Sequence, residues 1–361
     1  MRGGDSLPPV SMGRHFERAG VPCRLLCAVA ISACASHEPS PPPSESAGVA
    51  HDLAEAERDD QQCTRCHVQI AAEWLGSEHH ASDDATFRAS LAREAVPEFC
   101  RGCHAPFADS TATLPAAAGN GVSCSSCHQD IRLGPLGHPR PAQSNAADAN
   151  GACARCHEFA FPGLRQHPEK LQLTVSEHAA SSYAGTPCVT CHMPPVPEAR
   201  APRRAHASHA FAEARSESAL RAALAVQSER ATPTRVRLTL RSQRVGHAFP
   251  TGDLFRRLLI EADTLGPDYA VLAHAQRQLA RHFGDLPAAR DRLERVALVD
   301  DRVQPDVPTV VELELGAAAA GRPISWRVRY ERVLHLDPKR EEEAVVESSV
   351  LLASGTLPEK P

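Results

Sequence analysis

Near residue 213 the rhythm of apolar residues changes. Beyond it Val236, Leu238 and Leu240 alternate with polar neighbours, as do Val311, Leu313 and Leu315, and Ile324, Trp326, Val328 and Tyr330. A period of two puts one side of an extended chain in a core and the other in water, so these runs predict half-buried strands. Residues 258–262 and 344–352 add two more, enough for a small antiparallel β-sandwich over 213–361. Two stretches there read as helix: 216–226, with Ala and Leu on one face, and 270–283, as an insertion in the sandwich. Over 61–212 no period of two is sustained. The expected fold class is therefore a mainly α and irregular domain followed by the sandwich.

The first 34 residues read as an address rather than as structure. Arg14, Arg18 and Arg24 precede an apolar run over 25–33 that is too short to span a bilayer and ends in small residues, the pattern of an export signal. Its last residues, Ile31-Ser32-Ala33-Cys34, resemble the lipobox at which bacterial lipoproteins are cut and acylated. Cys34 is thus the expected lipid anchor, and Ala35 after it points to the outer membrane. Residues 35–60, including Pro39-Ser40-Pro41-Pro42-Pro43-Ser44, form a stiff polar tether.

Composition narrows the class. Of 361 residues 42% are apolar, which excludes a disordered chain, and Asp plus Glu (44) outnumber Lys plus Arg (39), which excludes a basic nucleic-acid binder. Only 10 Phe, 3 Tyr and 2 Trp serve the whole chain, so something other than aromatic side chains is expected to fill part of its core.

That filler is implied by the cysteines. Cys63/Cys66/His67, Cys100/Cys103/His104, Cys124/Cys127/His128, Cys153/Cys156/His157 and Cys188/Cys191/His192 are five copies of Cys-x-x-Cys-His. Of the 13 cysteines, Cys23 and Cys27 fall in the leader and Cys34 in the lipobox, so the ten in these units account for the rest. Two thiols on one helical turn can each form a thioether to one porphyrin edge, and the next histidine reaches the iron: the unit is that of c-type haem attachment. Zinc ribbons fit poorly, because every pair is followed by histidine in a chain with an export signal. Five covalently bound haems c are expected. First cysteines lie only 37, 24, 29 and 35 residues apart, too little chain for a separate apolar core around each, so the porphyrins must pack on one another.

Of the 19 histidines, fourteen lie outside the units and compete for the second side of each iron. Context selects His79 (with His80 as its alternative) in Trp74-Leu75-Gly76-Ser77-Glu78-His79-His80, then His209 and His247, which open two copies of His-Ala-Phe. His138 and His178 complete the set, with His167 a rival to the latter. An internal echo bears on the choice: Glu73-Trp74-x-x-Ser77-x-His79-x-Ala81 lines up with Glu177-His178-x-x-Ser181-x-Tyr183-Ala184, and the second copy lacks the His79 histidine. An iron left without a second histidine would be free to bind a small substrate; one with two mainly passes electrons.

On these residues the chain resembles the multihaem c-type cytochromes related to the tetrahaem cytochrome c of ammonia oxidisers, the hydroxylamine oxidoreductases and the pentahaem nitrite reductases. The resemblance covers about residues 60–255 and rests on Glu73-Trp74-x-x-Ser77-x-His79, Gly121-Val122-Ser123-Cys124, Cys188-x-x-Cys191-His192-Met193-Pro194 and Gly246-His247-Ala248-Phe249-Pro250-Thr251-Gly252. It implies haems packed in parallel and perpendicular pairs, and distal ligation by His79, His209 and His247. Departures point away from catalysis: no Cys-x-x-Cys unit ends in lysine as the nitrite reductases require, and only Tyr183, Tyr269 and Tyr330 are available for a haem crosslink of the hydroxylamine oxidoreductase kind.

The expectation is an exported pentahaem domain over 61–212, capped by a loop of the 213–361 domain through His247. It would carry electrons between redox partner proteins, or from a quinol-linked donor, at the periplasmic or cell surface. The alternative is an oxidoreductase of a small nitrogen or sulfur compound at one open haem.

Overall fold

A computed structural model describes residues 63–91, 97–106, 121–128, 150–160, 170–199, 201–211, 216–252, 255–288, 292–335 and 344–359. All fall in one unit, Ala50–Pro361. The leader, Cys34, the tether, His138 and His167 lie outside the described residues.

Short helices carry most of the first half: α1 (Val68–Leu75), α2 (Glu78–Ala81), α3 (Ala85–Leu91), α4 (Pro97–His104), α5 (Cys124–His128), α6 (Gly151–His157), α7 (Thr174–Ala179) and α8 (Cys188–His192). Two small antiparallel hairpins lie among them: β1 (Glu158–Ala160) with β2 (Lys170–Leu173), and β3 (Pro195–Glu198) with β4 (Ala201–Ala207). After α9 (Glu217–Ala222), N-capped by Ser216, the chain is almost all strand. The strands are β5 (Leu224–Thr232), β6 (Arg235–Ser242), β7 (Arg256–Leu265), β8 (Val271–Leu279), β9 (Arg281–Ala288), β10 (Arg292–Asp300), β11 (Thr309–Glu314), β12 (Ile324–His335) and β13 (Val345–Leu357).

They form a three-stranded sheet, β11-β6-β5, a four-stranded sheet, β13-β12-β7-β8, and the β9–β10 pair. Register is fixed by the period-two pattern: Val311 stands opposite Leu238 and Leu313 opposite Val236, while Val328 stands opposite Ile260 and Tyr330 opposite Leu258. Their side chains share one core, in which Val236, Leu238, Leu240, Leu258, Ile260, Ile324 and Val328 are fully buried. The other side of the four-stranded sheet is an ionic ladder, with Arg327 on Glu261 and Asp263, and Arg257 paired to Glu331.

These facts correct the expected fold class. Among the described residues strand (43%) outweighs helix (28%), so the chain is not a mainly α domain with a small sandwich appended. The helix expected over 270–283 is strand β8 and the start of β9. Ala, Gln and Arg give that stretch its helical propensity, but Ala273, Ala275 and Leu279 face the core at a period of two and pair with β7. Tertiary pairing wins because only a fraction of a kcal/mol per residue separates the propensities. Likewise the helix expected over 216–226 stops at Ala222, and β5 pairs with β6 from Leu224 onward.

Candidate functional site

Four of the Cys-x-x-Cys-His units close a helix with their histidine, in α4, α5, α6 and α8. In the first, one turn is closed by the His67 N–H on the Cys63 carbonyl (2.9 Å), and His67 then caps α1. Residues three apart on a helical turn lie on one side, so each pair of thiols points the same way. None of the ten thiols is in a disulfide. Units lie close enough to interact electrostatically: Cys103 with Cys156, Cys153 with Cys188, and Cys127 with Cys156. His67 neighbours His128 and His209 in the same way.

Exposure of the ten thiols is uneven. Cys127 and Cys191 are exposed, and in the first unit both Cys63 and Cys66 are. The reason is local. His67 leaves helical geometry at φ −98° and ψ 50°, so the turn that carries Cys66 is set off from α1 rather than built into a longer helix. Only one described side chain of α1, Trp74, is buried, and it lies eight residues further on.

Three of the expected distal histidines face a unit histidine. His79 stands opposite His157 with ring centres 6.3 Å apart, His209 opposite His128 at 6.3 Å, and His247 opposite His192 at 6.2 Å. The spacing is what an iron between two imidazoles needs. Two metal–nitrogen bonds of about 2 Å, plus about 1.1 Å from each ring centre to its nitrogen, add up to roughly 6.2 Å. Two of the pairs are near parallel, with interplanar angles of 13° for His192/His247 and 27° for His128/His209, whereas His79/His157 is crossed at 75°.

Hydrogen bonds set the tautomers. Nδ1 of His209 donates to the Ala207 carbonyl (2.8 Å), Nδ1 of His247 to Ala248 (3.0 Å) and Nδ1 of His104 to Ser82 (2.9 Å). A carbonyl can only accept, so in each neutral ring Nε2 keeps its lone pair for a metal. On His157 the Gln172 side-chain amide lies 3.0 Å from Nδ1. Burial holds the rings neutral: His157 is pushed down to about 4, by burial first and then by His79, His192, Arg256 and His247. Burial also lowers His79, His128, His209 and His247. The donor set fits haem, since paired thiols and two neutral nitrogens on one axis are what covalent attachment and six-coordination require.

The chain grips His79 and His247 differently. His79 sits on α2, whose N-cap Ser77 accepts the His80 N–H, and its carbonyl accepts from the Val122 N–H at 2.8 Å and the Ser82 hydroxyl at 2.7 Å. Gly121 makes that approach possible: at φ 48° it lies so close that a β-carbon would be 2.3 Å from the His79 carbonyl oxygen. Phe211, itself at φ 46°, lays its ring edge-on to His79 at 4.3 Å. His247 is carried by the β6–β7 connection, which reaches into the core through Ala248 and Phe249, and Phe249 bridges to Val303 by backbone hydrogen bonds in both directions.

Other expected positions fall elsewhere. His80 packs against Trp74 (4.6 Å) and is not the ring that faces His157. His178 lies beside Gly246, whose β-carbon would meet its ring at 3.1 Å, and among the described ring pairs it faces no unit histidine. His104 stacks on Phe87 at 4.1 Å. Sequence reasoning missed Glu73, His206, Glu177, Arg302 and Phe211. Phe211 left a trace as the last letter of one His-Ala-Phe copy and the two glutamates as the first letters of the internal echo, but the glutamates' partners lie 136 and 71 residues away.

A penta-heme cytochrome c552 from Thermochromatium tepidum is similar in structure, with a TM-score of 0.59 and 19% sequence identity over 82% of this chain and 98% of that one. The chain has that cytochrome's fold. MtrC from Shewanella baltica OS185 aligns at a TM-score of 0.17, with 16% identity over 72% of this chain and 44% of that chain, a likeness too slight to bear on the fold. No family model and no curated protein matches the sequence.

Proposed function

We propose that the protein is an exported pentahaem c-type cytochrome that carries electrons between redox partners. One observation carries the reading: three histidine pairs, each joining a Cys-x-x-Cys-His histidine to one from a distant segment, share a ring spacing of 6.2 to 6.3 Å. Haem bound at such a pair supplies one-electron chemistry without a change of ligands. The residues do the rest. Ten cysteines would tether five porphyrins. His67, His104, His128, His157 and His192 would be the near ligands, and His79, His209 and His247 the far ones.

The nearness of Cys103 to Cys156 and of Cys153 to Cys188 supports an electron path through the second, fourth and fifth units. The likeness to a pentahaem cytochrome supports the count. Export, a lipid anchor at Cys34, an outer-membrane location and a quinol-linked or protein donor belong to the same proposal. They rest on the leader and lipobox, and no helix among the described residues is long and apolar enough to cross a membrane.

The test is the purified protein from a host that matures c-type cytochromes. Its mass should exceed the processed polypeptide by five haems, and its pyridine haemochrome should give five per chain. A colourless protein with the mass of the polypeptide would end the proposal. Binding of nitrite or hydroxylamine to a high-spin fraction would move the reading to the oxidoreductase.

A further inference from the structure

Glu73 and Glu177 head the two copies of the sequence echo, and in the folded chain the copies have one local structure. The Ser77 hydroxyl donates to the Trp74 carbonyl at 2.7 Å; its counterpart Ser181 donates to His178 at 2.9 Å. Each glutamate then reaches a His-Ala-Phe segment. Glu73 Oε2 accepts the backbone N–H of His209 at 2.9 Å, and Glu177 Oε2 accepts that of Ala248 at 3.1 Å. Each holds its segment at a second point as well: Glu73 bonds the His206 ring at 2.9 and 3.1 Å, and Glu177 accepts the Thr251 hydroxyl at 2.8 Å. Both carboxylates are largely buried, with side-chain exposures of 17% and 8%.

We propose that Glu73 and Glu177 are equivalent positioning residues, each fixing by its carboxylate the backbone of one His-Ala-Phe segment so that His209 faces His128 and His247 faces His192. The inference rests on the reading of those histidines as iron ligands. The lever is short. Each distal ring is bonded through Nδ1 to a carbonyl of its own segment, Ala207 or Ala248, so ring orientation follows the backbone that the glutamate holds. A carboxylate suits the task because hydrogen bonds to an ionised acceptor are shorter and about twice as strong as neutral ones. In the second copy Arg302, itself buried, braces the device by donating to Glu177 at 2.5 Å, to Asp300 at 2.7 Å and to the Pro250 carbonyl at 3.1 Å.

The experiment uses the mature haem protein and four variants, Glu73→Ala, Glu73→Gln, Glu177→Ala and Glu177→Gln. Haem per chain, the low-spin signals in electron paramagnetic resonance and the midpoint potentials are measured together. Each alanine variant should keep wild-type haem content while one low-spin signal moves or turns high-spin. Each glutamine variant should restore the ligation but raise the midpoint potential of one haem, because a negative charge beside the ferric site is gone. Low-spin signals and potentials that match wild type in all four would overturn the inference. Should the alanine variants not accumulate, the glutamine pair decides: a shift confined to one haem supports the role, and none refutes it. A wild-type protein without haem, or without bis-imidazole signals, would instead sink the underlying reading.

Discussion

The indole N–H of Trp74 donates to the Val122 carbonyl at 2.9 Å, tying the helix that carries Glu73 to the leader of the third Cys-x-x-Cys-His unit. Val122 in turn donates its N–H to the His79 carbonyl and to the Ser82 hydroxyl. A residue two positions from Cys124 thus holds the turn that presents the His79 ring to a different unit, the fourth. The third and fourth units are interlocked through these bonds.

Trp74→Phe keeps most of the buried ring and deletes the donor, leaving the Val122 carbonyl without this partner. The expected loss is about 1 kcal/mol of stability, the usual cost of one such bond. Denaturant unfolding of the haem protein measures it. An unchanged midpoint at unchanged slope would mean that the bond holds nothing in place.

Gly246 precedes His247 at a point where the chain has no room to spare. A β-carbon there would lie 2.8 Å from that of Tyr183 and 3.1 Å from the His178 ring, whereas one at Gly185 would meet nothing within 4 Å. Gly246→Ala should therefore push the His247 segment outward, seen as a high-spin band near one haem's worth in the optical spectrum. Gly185→Ala, the control, should leave the spectrum at wild type. Equal spectra for the two would show that the contact relaxes without moving His247.

Much of this site was legible in the sequence and much of the fold was not, for physical reasons. Cys-x-x-Cys-His is a local motif whose chemistry is fixed by neighbours on one turn, and Gly246-His247-Ala248-Phe249 is compact enough to be read whole. The pairing of His79 with the fourth unit is set by packing across the chain, and nothing within the Glu73–Ala81 segment encodes it. Strand β8 reads as helix because two of its core-facing residues, Ala273 and Ala275, are alanines, whose small side chains give the same weak signal on a helix and on a strand. The role of Glu177 depended on Arg302, 125 residues away.

Asp263 links stability to pH. Burial pushes its carboxyl up, but hydrogen bonds and charge from His274 and Arg327 outweigh that and hold it below the ordinary value. A depressed carboxylate contributes stability that is fully present above its unfolded pKa, about 3.9, and is lost as pH falls through the folded value. His274 runs the other way: its bond to Asp263 raises it, against a smaller effect of burial. Its contribution is complete below about pH 6.5 and fades as pH rises through the folded value. With 41% of its side chain exposed, that share is small. Asp263→Asn should cost about 1–3 kcal/mol near pH 6 and flatten the acid limb of the stability curve. His274→Gln should mainly remove the decline above neutrality. Unfolding midpoints from pH 3 to 9 decide it, and an acid limb as steep in Asp263→Asn as in wild type would place the linkage elsewhere.

The ring planes lead to the most discriminating prediction. An imidazole donates through a nitrogen orbital but also interacts with iron through the π system perpendicular to its plane, so two parallel rings act on one iron d orbital while two crossed rings divide their effect between two. Parallel rings separate those orbitals and give an ordinary rhombic low-spin signal; crossed rings leave them nearly degenerate and give a signal of very large maximum g. His192/His247 at 13° and His128/His209 at 27° belong to the first kind, and His157/His79 at 75° to the second. The oxidised protein should show both, and His79→Ala should abolish one large-g signal while the two rhombic signals stay. Loss of a rhombic signal instead would mean that His79 serves a different iron, or that its ring turns when the metal binds.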